Sequence, residues 1–126
     1  MKLREIILAS RTKIFLGKDA ESNDFLMKKF KGKGNTILHT VKPGSPFCVI
    51  NTLNPSEKDF HKSGVLCARY SQDWRDNKSD VLVNVFTGKD VKKERGMKKG
   101  TWSVKKSRII KIKKEEILKI KEDLNK

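Results

Sequence analysis

The stretch "DVLVNVFTG", Asp80 to Gly88, alternates Val81, Val83 and Val85 against Leu82, Asn84 and Phe86. Successive side chains of a strand point to opposite faces, so both faces here are largely apolar. A strand apolar on both sides belongs in the middle of a sheet, with a layer packed over each face. The rest of the chain has to supply its neighbouring strands and those two layers.

Upstream, "LREIILA" (Leu3 to Ala9) and "TKIFLG" (Thr12 to Gly17) read as strands joined by a tight hairpin at Ser-Arg. "AESNDFLMKKF" reads as a helix with Asp19 as N-cap, Phe25, Leu26 and Phe30 on its apolar side, and Lys28 and Lys29 at its end. Gly32 and Gly34 stop it. "TILHTV" (Thr36 to Val41) and "PFCVINTL" (Pro46 to Leu53) are two further strands around "KPGSP", where Pro-Gly suits the centre of a type II turn. "NPSEKDFHKSGVLCARYSQDW" reads as one helix with Ser56 and Asp59 at its start and a small-residue face of Gly64, Cys67, Ala68 and Ser71. Such a face signals close packing on a sheet or helix.

Downstream, "KDVKKERGMKKGTWSVKKS" reads as loop, "RIIKIK" as a last strand and "KKEEILKIKEDLNK" as a last helix with Ile117, Ile120 and Leu124 on one face. The expectation is a single α+β domain over residues 1–126. It has a mixed or antiparallel sheet of about six strands, two packed helices and a C-terminal helix over 114–125.

Charge carries the functional signal. Thirty Lys+Arg against fifteen Asp+Glu leave +15, which points to a polyanionic partner. The surplus is clustered: Lys89 to Lys114 holds twelve Lys+Arg and two acids, Asp90 and Glu94. A smaller basic run is "MKKFKGKG", Met27 to Gly34. Cys48 and Cys67 lack metal-ligand spacing, and with only two histidines no zinc set is recognisable. "MKLREIILAS" has too short an apolar core for a signal peptide. No run reaches the roughly 18 apolar residues of a membrane-spanning helix. The expectation is a cytoplasmic, reduced protein with two core thiols, no cofactor and no membrane partner.

At four places the sequence resembles the NFACT-R domain. "LGKDAESNDFLMKKF" is similar to that family's Gly-Arg-Asp-Ala-x-x-Asn-x-x-Leu motif, with Gly17, Asp19, Ala20 and Asn23 in place and Lys18 where Arg is usual. "ILHTVKPGSPFCVI" is similar to its second motif through His39 and Gly44, with Pro46 where a second histidine is common. "GVLCARYSQDW" resembles its small-residue helix. "VNVFTGKDVKKERGMKKGTWSVKKSRIIKI" resembles its closing block, with Lys92 and Lys93 as the Lys pair. The resemblance spans about Arg11 to Ile112. It implies an RNA-binding module of the kind found in ribosome quality-control factors, which also occurs alone. Tail synthesis on a stalled subunit belongs to other parts of those factors and is not carried over.

The residues expected to meet RNA are Lys18, Lys28, Lys29, His39, Lys42, Gly44, Ser45, Lys92, Lys93, Arg95, Lys98, Lys99, Trp102, Lys105 and Lys106. Lysines there would neutralise phosphates and release counterions. Several readings stay open. Lys28 and Lys29 are a solvated helix end or a phosphate contact, and Asn23 contacts a loop or a ligand. Trp102 packs on the sheet edge or stacks on a base. His39 bonds its turn or donates to RNA, while Gly44 and Ser45 can offer backbone N–H groups to a phosphate.

The leading expectation is a non-enzymatic module for structured RNA, tRNA or rRNA, in translation or ribosome-associated quality control. The ribosome is a further possible partner. One alternative is an enzyme or subunit of tRNA modification; another is a charge-driven binder of DNA or anionic surfaces. A Cys48–His39 pair could be drawn on paper, and His39 with Asp19 or Asn23 is the other catalytic arrangement. No phosphate-binding P-loop is present.

Overall fold

The computed structural model describes residues 3–124, with side chains through residue 120. Strands β1 (Leu3–Ile7) and β2 (Lys13–Gly17) form the first hairpin, followed by α1 (Ala20–Phe30). Then come β3 (Thr36–Thr40), β4 (Cys48–Ile50), α2 (Glu57–Arg69), α3 (Gln72–Asn77) and β5 (Val81–Thr87). A small hairpin of β6 (Val91–Lys92) and β7 (Ser103–Val104) precedes β8 (Arg108–Ile112) and α4 (Lys114–Leu124).

Six strands make one sheet in the order β1-β2-β4-β3-β5-β8, antiparallel at every pairing. The fold is α+β, and β5 lies inside the sheet between β3 and β8; Val81, Val83 and Val85 are buried on one face, whereas on the other Phe86 is buried and Leu82 is 42% exposed. The register decides which side chains share a face. Val83 and Val85 join Ile14, Leu16, Leu38, Cys48, Ile50 and Ile112 under α2 and α4. Phe86 joins Phe15, Ile37 and Val49 on the opposite face, against Leu26, Met27 and Phe30 of α1 and Val91 and Trp102 of the small hairpin. Leu26, Met27 and Ile37 are fully buried. Each such side chain contributes about 1.5–3 kcal/mol relative to exposure.

The sequence reading needs correction at three points. Phe25 is 38% exposed, and Met27 takes its expected place on the buried side of α1. The long helix is two helices: α2 ends at Arg69, and the fully buried Ser71 is also the N-cap of α3, its Oγ accepting from the Trp74 N–H at 3.1 Å. The stretch read as loop contains the β6–β7 hairpin, pairing Val91 with Val104 and Lys92 with Ser103. The C-terminal helix runs to Leu124; its expected last residue, Asn125, and the side chain of Leu124 lie outside the described residues.

Candidate nucleic-acid interface

Three separate stretches of sequence meet at one cleft of about 970 Å³. The β2–α1 junction brings Gly17, Lys18, Asp19 and Asn23. The end of β3 and its turn bring His39, Gly44 and Ser45, and the loop before β7 brings Lys99, Gly100 and Trp102.

The β2–α1 junction is held by local bonds. Asp19 Oδ1 accepts from the Ser22 N–H at 2.8 Å, and the Ser22 hydroxyl accepts from the Asp19 N–H at 3.0 Å, a reciprocal cap. These bonds from Ser22, with the charge of Lys99, hold the Asp19 carboxyl below the usual carboxylate range. Asn23 is committed to structure: its Oδ1 accepts from the Phe47 N–H at 3.0 Å. Gly17 donates its own N–H to the Phe47 carbonyl at 3.1 Å, and a Cβ on Gly17 would collide with the Asn23 side chain. Glycine and asparagine are therefore needed together, and the pair ties α1 to the start of β4.

The turn after His39 is equally fixed. Thr40 donates its N–H to Ser45 Oγ at 3.0 Å, so the buried Ser45 hydroxyl orders the turn from inside. Gly44 has φ +92°, and a Cβ there would lie 2.8 Å from Gln72 Cβ. Its carbonyl accepts from the Gln72 N–H at 2.9 Å, which docks the turn on α3.

His39 pairs its Nδ1 with the Thr40 carbonyl at 2.9 Å. A carbonyl only accepts, so Nδ1 carries the proton. Burial lowers the pKa of His39, outweighing the opposing bonds at Thr40 and Ser45. In this neutral tautomer Nε2 is an acceptor. The Cys48–His39 pair is excluded by register. Cys48 is the direct partner of Leu38, so it lies on the face opposite to His39. It is also fully buried, with its thiol pKa pushed well above the ordinary value.

The basic loop between β6 and β7 is anchored by Asp24. The carboxylate accepts from the Gly100 N–H at 2.7 Å and the Trp102 indole N–H at 2.9 Å, with Lys93 Nζ at 3.5 Å. Burial would raise its pKa, but these donors outweigh burial and lower it. Lys93 Nζ also donates to the carbonyls of Lys98 and Thr101, both at 2.7 Å. An ammonium has three protons, and here all three have protein acceptors. Lys93 staples the loop through these three contacts. Trp102 is 9% exposed and packs in the α1-side core, which favours packing over base stacking.

Of the other expected contacts, Lys18 and Lys99 stand on the cleft lining. Lys92, Arg95, Lys98 and Lys105 are exposed but do not line it, and Lys106 borders a second, smaller cleft beside Arg108. Lys42 reaches Asp73 at 3.7 Å. Lys28 and Lys29 lie near the far end of α1, with Lys29 over the rings of Phe15 and Phe30. The sequence reading missed Arg4 and Arg75, which complete the cleft's cations. Arg4 stacks 3.9 Å above the Tyr70 ring, and Arg75 donates to Gln72 Oε1 at 2.9 Å. Four cations, Arg4, Lys18, Arg75 and Lys99, thus surround the cleft against one carboxylate, Asp19. Among the described residues no group of His, Cys, Asp or Glu is placed to hold a metal ion.

An α+β sheet domain with a cation-rimmed cleft and an anchored basic loop is the architecture of a polyanion-binding module. The chain belongs to the NFACT-R family, the NFACT protein RNA binding domain, whose model matches residues 3–106. The fold is similar to the C-terminal part of a fibronectin/fibrinogen-binding protein from Streptococcus suis, with TM-score 0.80 and 23% identity. That likeness covers 94% of this chain and 49% of the other, so this chain spans about half the length of its structural neighbour. No curated protein matches the sequence. Among the described residues no helix is long and apolar enough to cross a membrane.

Proposed function

We propose that this RNA-binding domain holds structured RNA, tRNA or rRNA, as a cytoplasmic and non-enzymatic module of translation or ribosome-associated quality control. The observation that carries the reading is the convergence of Lys18 and Lys99 with Arg4 and Arg75 around one cleft. Exposed Lys92, Arg95, Lys98, Lys105 and Lys106 extend the positive surface along the β6–β7 hairpin and beyond it. These cations bind phosphates, while the cleft and its fixed turn give the surface a shape. Gly44 and Ser45 offer their N–H groups from the same turn.

Catalysis has no support in the arrangement. His39 is bonded to a backbone carbonyl and not to a carboxylate, Asp19 caps its helix, and Asn23 is held by Phe47. The test is fluorescence anisotropy with tRNA, duplex DNA and heparin. Tighter binding to tRNA than to the other two at equal salt is expected. Equal affinity for all three would replace this reading with a charge-driven one.

A further inference from the structure

The cleft separates two kinds of recognition. Its rim is cationic, through Arg4, Lys18, Arg75 and Lys99. His39 and Asn84, direct cross-strand neighbours of β3 and β5, bring uncharged polar groups to the same cleft beside Phe47 and Phe86. The His39 ring stacks on Phe47 at 4.6 Å between centroids, and Phe47 meets Phe86 edge-on at 6.4 Å. Because His39 Nδ1 carries the proton that bonds Thr40, Nε2 of the neutral ring presents a lone pair. A phosphate has no proton to give a lone pair at neutral pH and would be repelled by it. The rim therefore suits phosphate, and His39 suits a ligand group with an N–H or O–H.

A ligand that carries both within one residue is a nucleotide. We propose that the cleft takes a single unpaired ribonucleotide of a structured RNA. Rim cations hold its flanking phosphates, and His39 Nε2 accepts a hydrogen bond from a base N–H or the ribose O–H. The cleft volume of about 970 Å³ lies at the upper end of the range for sites that enclose a small ligand. Bases of an RNA helix are stacked away from protein contact, whereas a bulged or terminal base can be splayed into a pocket. The inference rests on the RNA reading above and sharpens it: the feature recognised is an unpaired residue and not the helix alone.

The test compares three RNAs of one helix sequence at one salt concentration: a blunt duplex, the duplex with one bulged nucleotide, and the duplex with a 3′ overhang. Binding about tenfold tighter to the bulged form or to the overhang than to the blunt duplex is expected, and whichever is preferred identifies the source of the residue. His39→Phe keeps an aromatic ring against Phe47 and removes the acceptor; it should erase the preference between the three RNAs. In the wild-type protein, the His39 Nε2 resonance should move on adding the preferred RNA and stay in place with the blunt duplex. Equal binding of all three RNAs, an unmoved Nε2 resonance, or an intact preference in His39→Phe would overturn the nucleotide cleft alone. Failure to bind any of them at low salt would overturn the RNA reading as well.

Discussion

The indole N–H of Trp102 donates to Asp24 Oδ1 at 2.9 Å, joining residues 78 apart in sequence. The bond fixes the basic loop on α1, and Lys93 secures the same loop from within. Trp102→Phe keeps most of the buried ring but takes a donor from an ionised carboxylate. It should lower stability by about 1.5–3 kcal/mol in urea unfolding. Lys93→Met should also destabilise the fold, whereas Lys98→Met, on an exposed side chain, should leave it within about 0.5 kcal/mol.

Acid should loosen the same anchor. Asp24 has a lowered pKa in the fold, so its stabilisation is present above the unfolded value of about 3.9 and is lost as pH falls through the folded value. The Trp102 indole proton, followed by NMR, should shift as pH drops below about 4. Asp24→Asn should remove that transition.

Gly44 and Gly96 both have positive φ, +92° and +85°, but only Gly44 lies against a neighbour. Gly96→Ala should cost about 1 kcal/mol from backbone strain alone. Gly44→Ala adds a clash with Gln72 and should cost more, measured as the difference in urea midpoint. Equal costs would show that α3 gives way easily.

The two thiols are inert core groups. Both are fully buried, and burial pushes the Cys67 pKa up to about 12. A thiol reagent at pH 8 should label neither cysteine in the native protein and both in guanidinium. Rapid native labelling would show that α2 opens from the sheet.

Much of the fold was legible because periodicity reports burial. The two apolar faces of Val81 to Phe86 mark a central strand, and Asp19 marks the start of α1. The β6–β7 hairpin was not legible, because two-residue strands leave no alternation to read. The break before α3 was signalled by Ser71 itself, a good capping residue that also fits a small-residue face. The site was legible where it is local: Gly17, Asp19, Asn23, His39 and Gly44 all meet at or beside the cleft. Counting charges could not distinguish Lys93, whose ammonium is bonded to carbonyls, from Lys99, which lines the cleft. Arg4 and Arg75 escaped notice because they come from the first strand and a short six-residue helix distant in sequence, and only the folded chain brings them together.

Amide chemical-shift mapping during titration with a tRNA hairpin locates the RNA on the protein surface. The largest shifts should cluster at Gly17, Lys18, His39, Gly44, Lys99 and Thr101 around the cleft and fade with rising salt. Shifts concentrated on the exposed side of α2 and α4, with the cleft amides unmoved, would contradict RNA binding at the cleft.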